Sequence, residues 1–465
     1  MNSWVLLSCL LLGACGKKSS EAAPSRVNDS AETDSAGTDQ DTAEETPSHN
    51  LELSFVDVDG SWAVDQCATT CLTVRLTQEG EPLAERSVDL WVENTAIGVG
   101  VPTTDAGLAT ACADSLPTGD WRAVAVAVVD GDRAEAETPI SVQPFGFADG
   151  IERVSGGGLP YTPNFARSDA NPVFPPGASG SFDSVGTLLP SVVRTEDGWV
   201  MWYAGTADVD YSVGVARSDD GLVWLRRTAP TFPPDGEEGS WKRFATNAPM
   251  VVQDGLGWRV YYSGRAQESG DISIGMALGA QADGVTDYAD NPVFGWSEEE
   301  ASWAGQAVAH PAILRHPSGH WEMWYSTGLH KLGYAYSLDG VAWQRFCGNP
   351  VFAGNTGGSW EAHQAKAADV VFHDGWYLMA YTGGARGAFK IGWAMSRDGL
   401  NWTRADSPVF GPNVTPGTWE SSSVLGPSLM VDGDTLRMWY GGTGLTGSAI
   451  GLATAALPAT LEVTP

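Results

Sequence analysis

The chain has 465 residues, and its 26 Lys and Arg face 57 Asp and Glu for a formal net charge of −31. A surface that acidic repels phosphate backbones and excludes nucleic acid as a partner. The 56 glycines and 20 tryptophans are many, and charged residues at 18% fall below the ~25% usual in soluble domains, which points to turn-rich, aromatic-packed all-β structure rather than a helical bundle. After residue 15 no apolar run approaches the ~20 residues that a membrane helix needs.

Residues 1–15 hold a short apolar run from Trp4 to Leu12, then small residues and Cys15, which is the anatomy of an export signal. Leu12-Gly13-Ala14-Cys15 resembles the lipobox of bacterial lipoproteins. The resemblance implies cleavage before Cys15 and lipidation of that cysteine. With Gly16 in place of an aspartate, it also implies an outer membrane location, facing periplasm or cell surface. Residues 16–50 are rich in Ser, Thr, Ala, Asp and Glu, cannot bury enough apolar surface to fold, and are expected to be a disordered acidic linker.

Residues 51–146 alternate apolar and polar side chains in short runs such as Cys71 to Leu76, Val88 to Val92 and Trp121 to Val128, the pattern of a small β-sandwich. Thr104 to Thr110, followed by Pro117 to Trp121, resembles the later strands of bacterial immunoglobulin-like modules. Cys67, Cys71 and Cys112 allow one disulfide there, with Cys112 paired to either of the other two. A metal site on Cys67 and Cys71 is disfavoured, because no histidine lies between residues 50 and 309.

Residues 151–465 are a five-fold repeat. Pro172, Pro230, Pro292, Pro350 and Pro408, four of them in Pro-Val-Phe, recur at intervals of 58, 62, 58 and 58 residues. An aromatic residue (Phe182, Trp241, Trp303, Trp360, Trp419) precedes Pro190, Pro249, Pro311, Ala368 and Pro427 by eight residues in every copy. Tyr203, Tyr262, Tyr325, Tyr381 and Tyr440 then follow that aromatic by 21 or 22 residues. Asp-Gly pairs at 197, 254, 374 and 432 predict the first hairpin of a unit, Met-Trp-Tyr its second strand and Ile-Gly-x-Ala its third. Asp220-Gly221, Asp339-Gly340 and Asp398-Gly399 turn into a fourth strand with Trp224, Trp343 and Trp402. Five such sheets predict a five-bladed β-propeller. The last unit ends after its third strand at Ala453, so residues around 158–170 are expected to supply the missing strand and close the ring.

These blades, with Pro-Val-Phe, Met-Trp-Tyr-x-Gly and Ile-Gly-x-Ala-x-Ser-x-Asp-Gly-x-x-Trp, resemble the five-bladed propeller superfamily of arabinanases, levansucrases and invertases, with glycoside hydrolase families 43, 32 and 130 nearest. The resemblance implies an oligo- or polysaccharide partner. In families 43 and 32 it also implies an aspartate just before the proline of the innermost strand and a glutamate acid in another blade, the carboxyl pair that glycoside hydrolysis needs. Here the pre-proline positions hold Leu189, Ala248, His310, Ala367 and Gly426, so that aspartate is missing.

Residues repeated in every blade are read as scaffold, and residues that break the repeat as the candidate site. Asp183, Glu361 and Glu420, each just after the repeated aromatic, are the candidate catalytic carboxylates, with Lys242 and Ala304 at the same position in the other two blades. Candidate ligand-binding residues are Arg243, Phe244, Asn247, Gln306, His310, His363 and Lys366, with Trp296 as a sugar-stacking platform or, equally, a packed loop anchor. His310 and His363 are expected to donate to sugar hydroxyls. No cofactor is expected. A central calcium ion, as some family 43 propellers hold, would have two imidazoles and no carboxylate in register. His316, His320 and His373 read as surface hairpin residues, and the loops 207–211, 267–271, 329–331 and 385–389 as a rim. The favoured reading is a tethered, carbohydrate-binding propeller without the usual catalytic aspartates. The alternatives are a glycoside hydrolase with displaced carboxylates and a protein-interaction scaffold.

Overall fold

The computed structural model describes residues 50–56, 62–65, 70–92, 95–113, 116, 119–143 and 159–461, the last stretch with gaps of one to three residues. The predicted signal with Cys15, the linker up to His49, and Cys67 lie outside them. The chain divides between Asp149 and Gly150 into two compact units. Among the described residues no helix is long and apolar enough to cross a membrane.

The first unit is a sandwich. In one sheet Thr70–Gln78 lies between Leu51–Phe55 on one side and Glu81–Pro82 with Leu108–Ala113 on the other. The second sheet runs in the order Trp62–Asp65, Asp132–Gln143, Gly119–Val129, Ser87–Val92, Thr95–Pro102. Period-two alternation sends Leu72, Val74 and Leu76 inward to the same core as Val88, Leu90, Val92, Ala123, Ala125 and Ile140. Cys71 and Cys112 face each other on neighbouring strands and form the disulfide, which decides between the two pairings the sequence allowed.

The second unit is a five-bladed β-propeller. Its inner strands are Gly186–Thr195, Ala245–Asp254, Val308–Arg315, Lys366–His373 and Ser423–Asp432. Each contacts the next, and the fifth contacts the first, so the ring is closed. The second strands (Gly198–Thr206, Gly257–Gln267, Trp321–Thr327, Trp376–Ala385, Thr435–Gly444) and third strands (Tyr211–Ser218, Gly270–Gly279, Lys331–Ser337, Ala388–Ser396, Gly447–Ala456) pair antiparallel outward. Two-residue outer strands finish blades one to four: Leu225–Arg226, Thr286–Asp287, Gln344–Arg345 and Thr403–Arg404. Blade five takes its outer strand from the other end of the unit, with Ala166 paired to Thr454 and Arg167 to Ala453. This is the closure expected from the truncated fifth repeat, and it removes an open sheet edge.

The repeated residues have distinct packing tasks. Blades stack on both faces, so the second strand is apolar on both, and Met201, Trp202 and Tyr203 are all fully buried. The glycine of the third strand makes room for the neighbouring tyrosine: a Cβ on Gly333 would stand 2.3 Å from Cζ of Tyr325, and one on Gly392 2.3 Å from Cζ of Tyr381. In Ser-x-Asp-Gly, Ser218 Oγ accepts from the Gly221 N–H while Asp220 Oδ1 accepts from Leu222 and Val223, and residues 337–342 and 396–401 repeat the arrangement. These bonds to the carboxylate hold the Asp220 pKa below its usual value. The asparagine before Pro172, Pro292 and Pro350 pairs with both backbone polar groups of Leu452, Met276 and Tyr334 respectively. Type I′ geometry at the first hairpin is clear at Asp374-Gly375, both with positive φ, whereas in blade one the loop is Glu196-Asp197 and Gly198 opens the strand.

Under each of four blades lies a buried acid held by its own tyrosine and arginine. Asp183 accepts from Tyr203 at 2.9 Å and pairs with Arg226 at 2.5 Å; Glu300 accepts from Tyr325 at 3.0 Å and pairs with Arg345 at 2.7 Å. Glu361 joins Tyr381 and, at 2.9 Å, Arg404; Glu420 joins Tyr440 at 2.9 Å and Arg167 at 2.6 Å. Each guanidinium lies 4.0–4.2 Å from the centre of the repeated phenylalanine ring: Phe174, Phe294, Phe352 or Phe410. Blade two reverses the charges. There Lys242 pairs with Asp287 at 2.5 Å, Tyr262 donates to that same aspartate, and Phe232 stacks on the Tyr262 ring.

The reversal supplies a test. Lys242→Glu alone would set two carboxylates against Tyr262 and, with Asp287 partly open to solvent, should destabilise the propeller by about 1–2 kcal/mol. Adding Asp287→Arg rebuilds the pair found in the other blades and should recover most of the loss in urea unfolding. A double variant no more stable than the single one would show that the pairs do not act as units.

Candidate functional site

The inner strands reach the axis through a shared irregularity. In every blade the pairing with the second strand slips at the pre-proline residue, and Leu189, Ala248, His310, Ala367 and Gly426 all have φ between 44° and 55°. For the four that are not glycine this left-handed conformation costs about 1 kcal/mol or more each. Bonds between blades hold it in place: the N–H groups of His310, Ala367 and Gly426 donate to Ser263, Ser326 and Thr382 of the preceding blade at 2.8–3.0 Å. Two residues further on, Ser191 and Ser428 accept from Val251 and Val192 of the following blade, and Asp369 does the same for Leu429 at 2.7 Å. A bulge re-aims the side chain it carries. Here it brings Leu189, Ala248, His310, Ala367 and Gly426 to one axial cavity of about 30 Å³. That volume admits a water molecule or two and excludes a sugar ring, so a saccharide would have to bind at the mouth.

Three of the residues that line the cavity, Leu189, Ala248 and Ala367, belong to one buried apolar cluster with Leu188, Tyr211 and Phe389. His310 is the one pre-proline residue able to hydrogen bond through its side chain. It is 5% exposed, and neither ring nitrogen has a partner. Burial first, then the charges of Lys366 and His330, push its pKa down to about 3, so the ring is neutral. Lys366 is 3% exposed, its ammonium lies 4.4 Å from the centre of the Phe389 ring, and burial lowers its pKa to about 8. His330 is brought beside it because the Ala365 N–H donates to the His330 carbonyl at 2.9 Å. Burial and the Lys366 charge push the His330 pKa down to about 4, and its Nδ1 has no partner. Gln364 Oε1 is also buried without one.

Of the predicted ligand-binding residues, His310 and Lys366 come together. His363 does not join them: its backbone turns through φ 67° and its side chain is exposed, so His330 is the imidazole near His310. Gln306 is exposed as well. Arg243 is half-buried with its guanidinium over Phe244, and Asn247 is half-buried opposite Ser263. Trp296 is half-buried and packs against the core of blade three. The candidate catalytic carboxylates Asp183, Glu361 and Glu420 are the acids of the clusters described above. Each is saturated by partners of its own blade's cluster and shares none with another. In blade three the acid is Glu300, four residues ahead of Ala304, because Ala301–Ala304 makes one helical turn that returns the chain to register.

Sequence reasoning missed His330 and Asp369. Asp369 lies on the axial cavity, and burial raises its pKa to about 7 although the Leu429 and Val370 N–H groups favour the carboxylate. Its signal was visible, since blade four alone lacks the proline and has an acid where other blades have Ser, Met or Ala. Among the described residues no three His, Cys, Asp or Glu side chains gather as metal ligands.

No protein-family model matches the chain. Two uncharacterized proteins of Mycobacterium tuberculosis are 25% and 27% identical over 291 residues, which span 61% of this chain and 76% of each relative. Among solved structures, one from a study of GH130 mannoside phosphorylases and glycoside hydrolases that target β-1,2 mannosidic linkages matches 64% of this chain and 96% of its own, with TM-score 0.52 and 17% identity. A putative glycoside hydrolase of Parabacteroides distasonis matches 64% and 98%, with TM-score 0.53 and 15% identity. The β-1,2-mannobiose phosphorylase of Listeria innocua, in complex with β-1,2-mannobiose, matches 63% and 97%, with TM-score 0.51 and 14% identity. At these identities the likeness establishes the fold.

Asp369 gives the fold a pH dependence of definite sign. Its folded pKa, about 7, lies above the unfolded value near 3.8, so the folded chain keeps a proton that the unfolded chain releases. Its contribution is therefore most favourable below about pH 4 and is lost as pH rises to 7, on the order of a few kcal/mol. Asp369→Ser copies Ser191 and Ser428 and keeps an acceptor for Leu429. It should raise the melting temperature more at pH 8 than at pH 4.5. An equal shift at both pH values would contradict the assignment.

Proposed function

We propose that the propeller binds carbohydrate at the mouth of its axial channel and does not hydrolyse it. The observation that carries this reading is His310. A neutral imidazole stands in a strained inner-strand bulge with both nitrogens unpartnered, at the position where the resembling hydrolases place an aspartate. Buried polar groups are nearly always hydrogen-bonded, and those left open at a concave site are the ones a ligand satisfies. Sugar hydroxyls both donate and accept, which suits a neutral imidazole, the Gln364 amide oxygen and His330 Nδ1. The fold of the mannoside phosphorylase and hydrolase neighbours supports a saccharide as the ligand.

Hydrolysis is disfavoured by where the carboxylates are. A general acid must reach the glycosidic oxygen. Asp183, Glu300, Glu361 and Glu420 are closed into arginine and tyrosine clusters, and both oxygens of the buried Asp369 already accept from the Val370 and Leu429 N–H groups. The lipobox-like Cys15 supports a second element of the proposal, that the propeller is tethered to a bacterial outer membrane. Cys15→Ser should move the protein from membrane to soluble fractions, and continued sedimentation after a salt wash would overturn the tether.

The binding reading predicts that His310→Ala weakens oligosaccharide affinity by about 1–3 kcal/mol, measured by calorimetry on mannan, arabinan, xylan and fructan fragments. Glu361→Gln should leave affinity nearly unchanged while lowering thermal stability, since it leaves Arg404 without its charge partner. Release of reducing sugar by the wild type, abolished by Glu361→Gln in protein that remains folded, would establish the hydrolase instead.

A further inference from the structure

Among the described residues two cations of the propeller have side chains withdrawn almost fully from water, Arg265 and Lys366. Arg265 meets Asp210 at 2.9 Å. Lys366 meets no carboxylate among the described residues; its ammonium lies over the Phe389 ring, and its charge falls on two imidazoles that cannot neutralise it. This is not for want of acids, because the chain has 57 of them against 26 bases and places one beside each of Arg167, Arg226, Arg345, Arg404 and Lys242. A buried ammonium without a counter-charge is costly. The groups around it add no negative charge: His310, His330 and Gln364 have open polar atoms, and Tyr211 is kept protonated by burial, its pKa raised to about 12.

Resting on the carbohydrate reading of this mouth, we infer that the saccharide it takes is acidic, with a sugar carboxylate seated on Lys366 between His310 and His330. A uronate fits the chemistry. Its carboxylate supplies the missing counter-charge, and its ring hydroxyls remain for the neutral imidazole of His310 and the Gln364 oxygen. The overall charge of −31 sets a further condition. Long-range attraction of a polyanion is unfavourable, so recognition is by contact, from a single carboxylate at a desolvated ammonium where the interaction is least screened.

The test compares a trigalacturonide with its carboxyl-reduced, neutral counterpart by titration calorimetry on the full chain. The acidic trisaccharide should bind about 10–100-fold more tightly. Lys366→Met should abolish that preference while leaving the weaker binding of the neutral trisaccharide in place, and Lys366→Gln should behave alike if the methionine variant fails to fold. A second reading needs no variant. At pH 8 the Lys366 ammonium is partly deprotonated, so uronide binding should take up protons, seen as a binding enthalpy that differs between buffers of unlike ionisation heat. Equal affinity for the two trisaccharides, or a preference that survives both substitutions, would overturn the charge assignment alone. Tight binding of inorganic phosphate without binding of the trigalacturonide would overturn it too. Failure of every acidic and neutral glycan to bind would overturn the carbohydrate reading with it.

Discussion

The propeller depends on one repeated interaction, an ion pair locked between two aromatic rings. In blades one, three, four and five a buried carboxylate accepts a tyrosine hydroxyl and faces an arginine whose guanidinium covers the phenylalanine of the linking segment. Burial, with the adjacent carboxylate next in size, raises the Tyr203 pKa well above its ordinary value and keeps the hydroxyl a donor. The arginine comes from the outer strand, the tyrosine from the second strand and the acid from the lead-in to the inner strand. One cluster therefore fixes the width of a blade. A buried pair gains little over an apolar replacement, but removing one partner leaves a charge stranded, so the arrangement specifies geometry more than it adds stability. Lys242 and Asp287 show that the requirement is for opposite charge and not for a particular residue at either end.

With the blades fixed in this way, the axis is free to vary. The five inner-strand bulges share a backbone conformation, three of them with the same hydroxyl bond from the preceding blade, while only one carries a polar side chain, His310, and that is how a symmetric ring acquires an asymmetric site. Blade three contributes His310 and the turn containing His330; blade four contributes Gln364, Lys366 and Phe389. Blades one and five present Leu189 and Gly426 at the equivalent point. The polar groups are gathered on two adjacent blades, as a site for one asymmetric ligand requires.

Much of the architecture was legible because it is local. Pro-Val-Phe, Met-Trp-Tyr and Ser-x-Asp-Gly each perform one packing or turn task within a few residues, so their recurrence gave blade count, strand order and the closing segment. The roles of Asp183, Glu361 and Glu420 were not legible, because their arginines lie far along the chain: Arg226 and Arg404 come 43 residues after their acids, and Arg167 lies 253 residues before Glu420. A trace was present nonetheless. Trp224, Trp343 and Trp402 are each followed two residues later by an arginine, and Phe165 stands in the same relation to Arg167. That spacing marks both the cluster and the closing strand. His330 escaped notice because nothing in its own turn distinguishes it; it becomes part of the site only when Ala365 of the next blade bonds to its carbonyl.

The central claim is that ligand recognition resides at the axial mouth and the acids of the blades are framework. Nitrogen-15 spectra of the histidine imidazoles, followed while oligosaccharide is added, test it most directly. His310 and His330 should shift with saturation, while His316 and His320, stacked on each other in a hairpin of blade three, and His373, at the end of another, should not. Shifts confined to the hairpin histidines, or cleavage of the added saccharide during the titration, would contradict it.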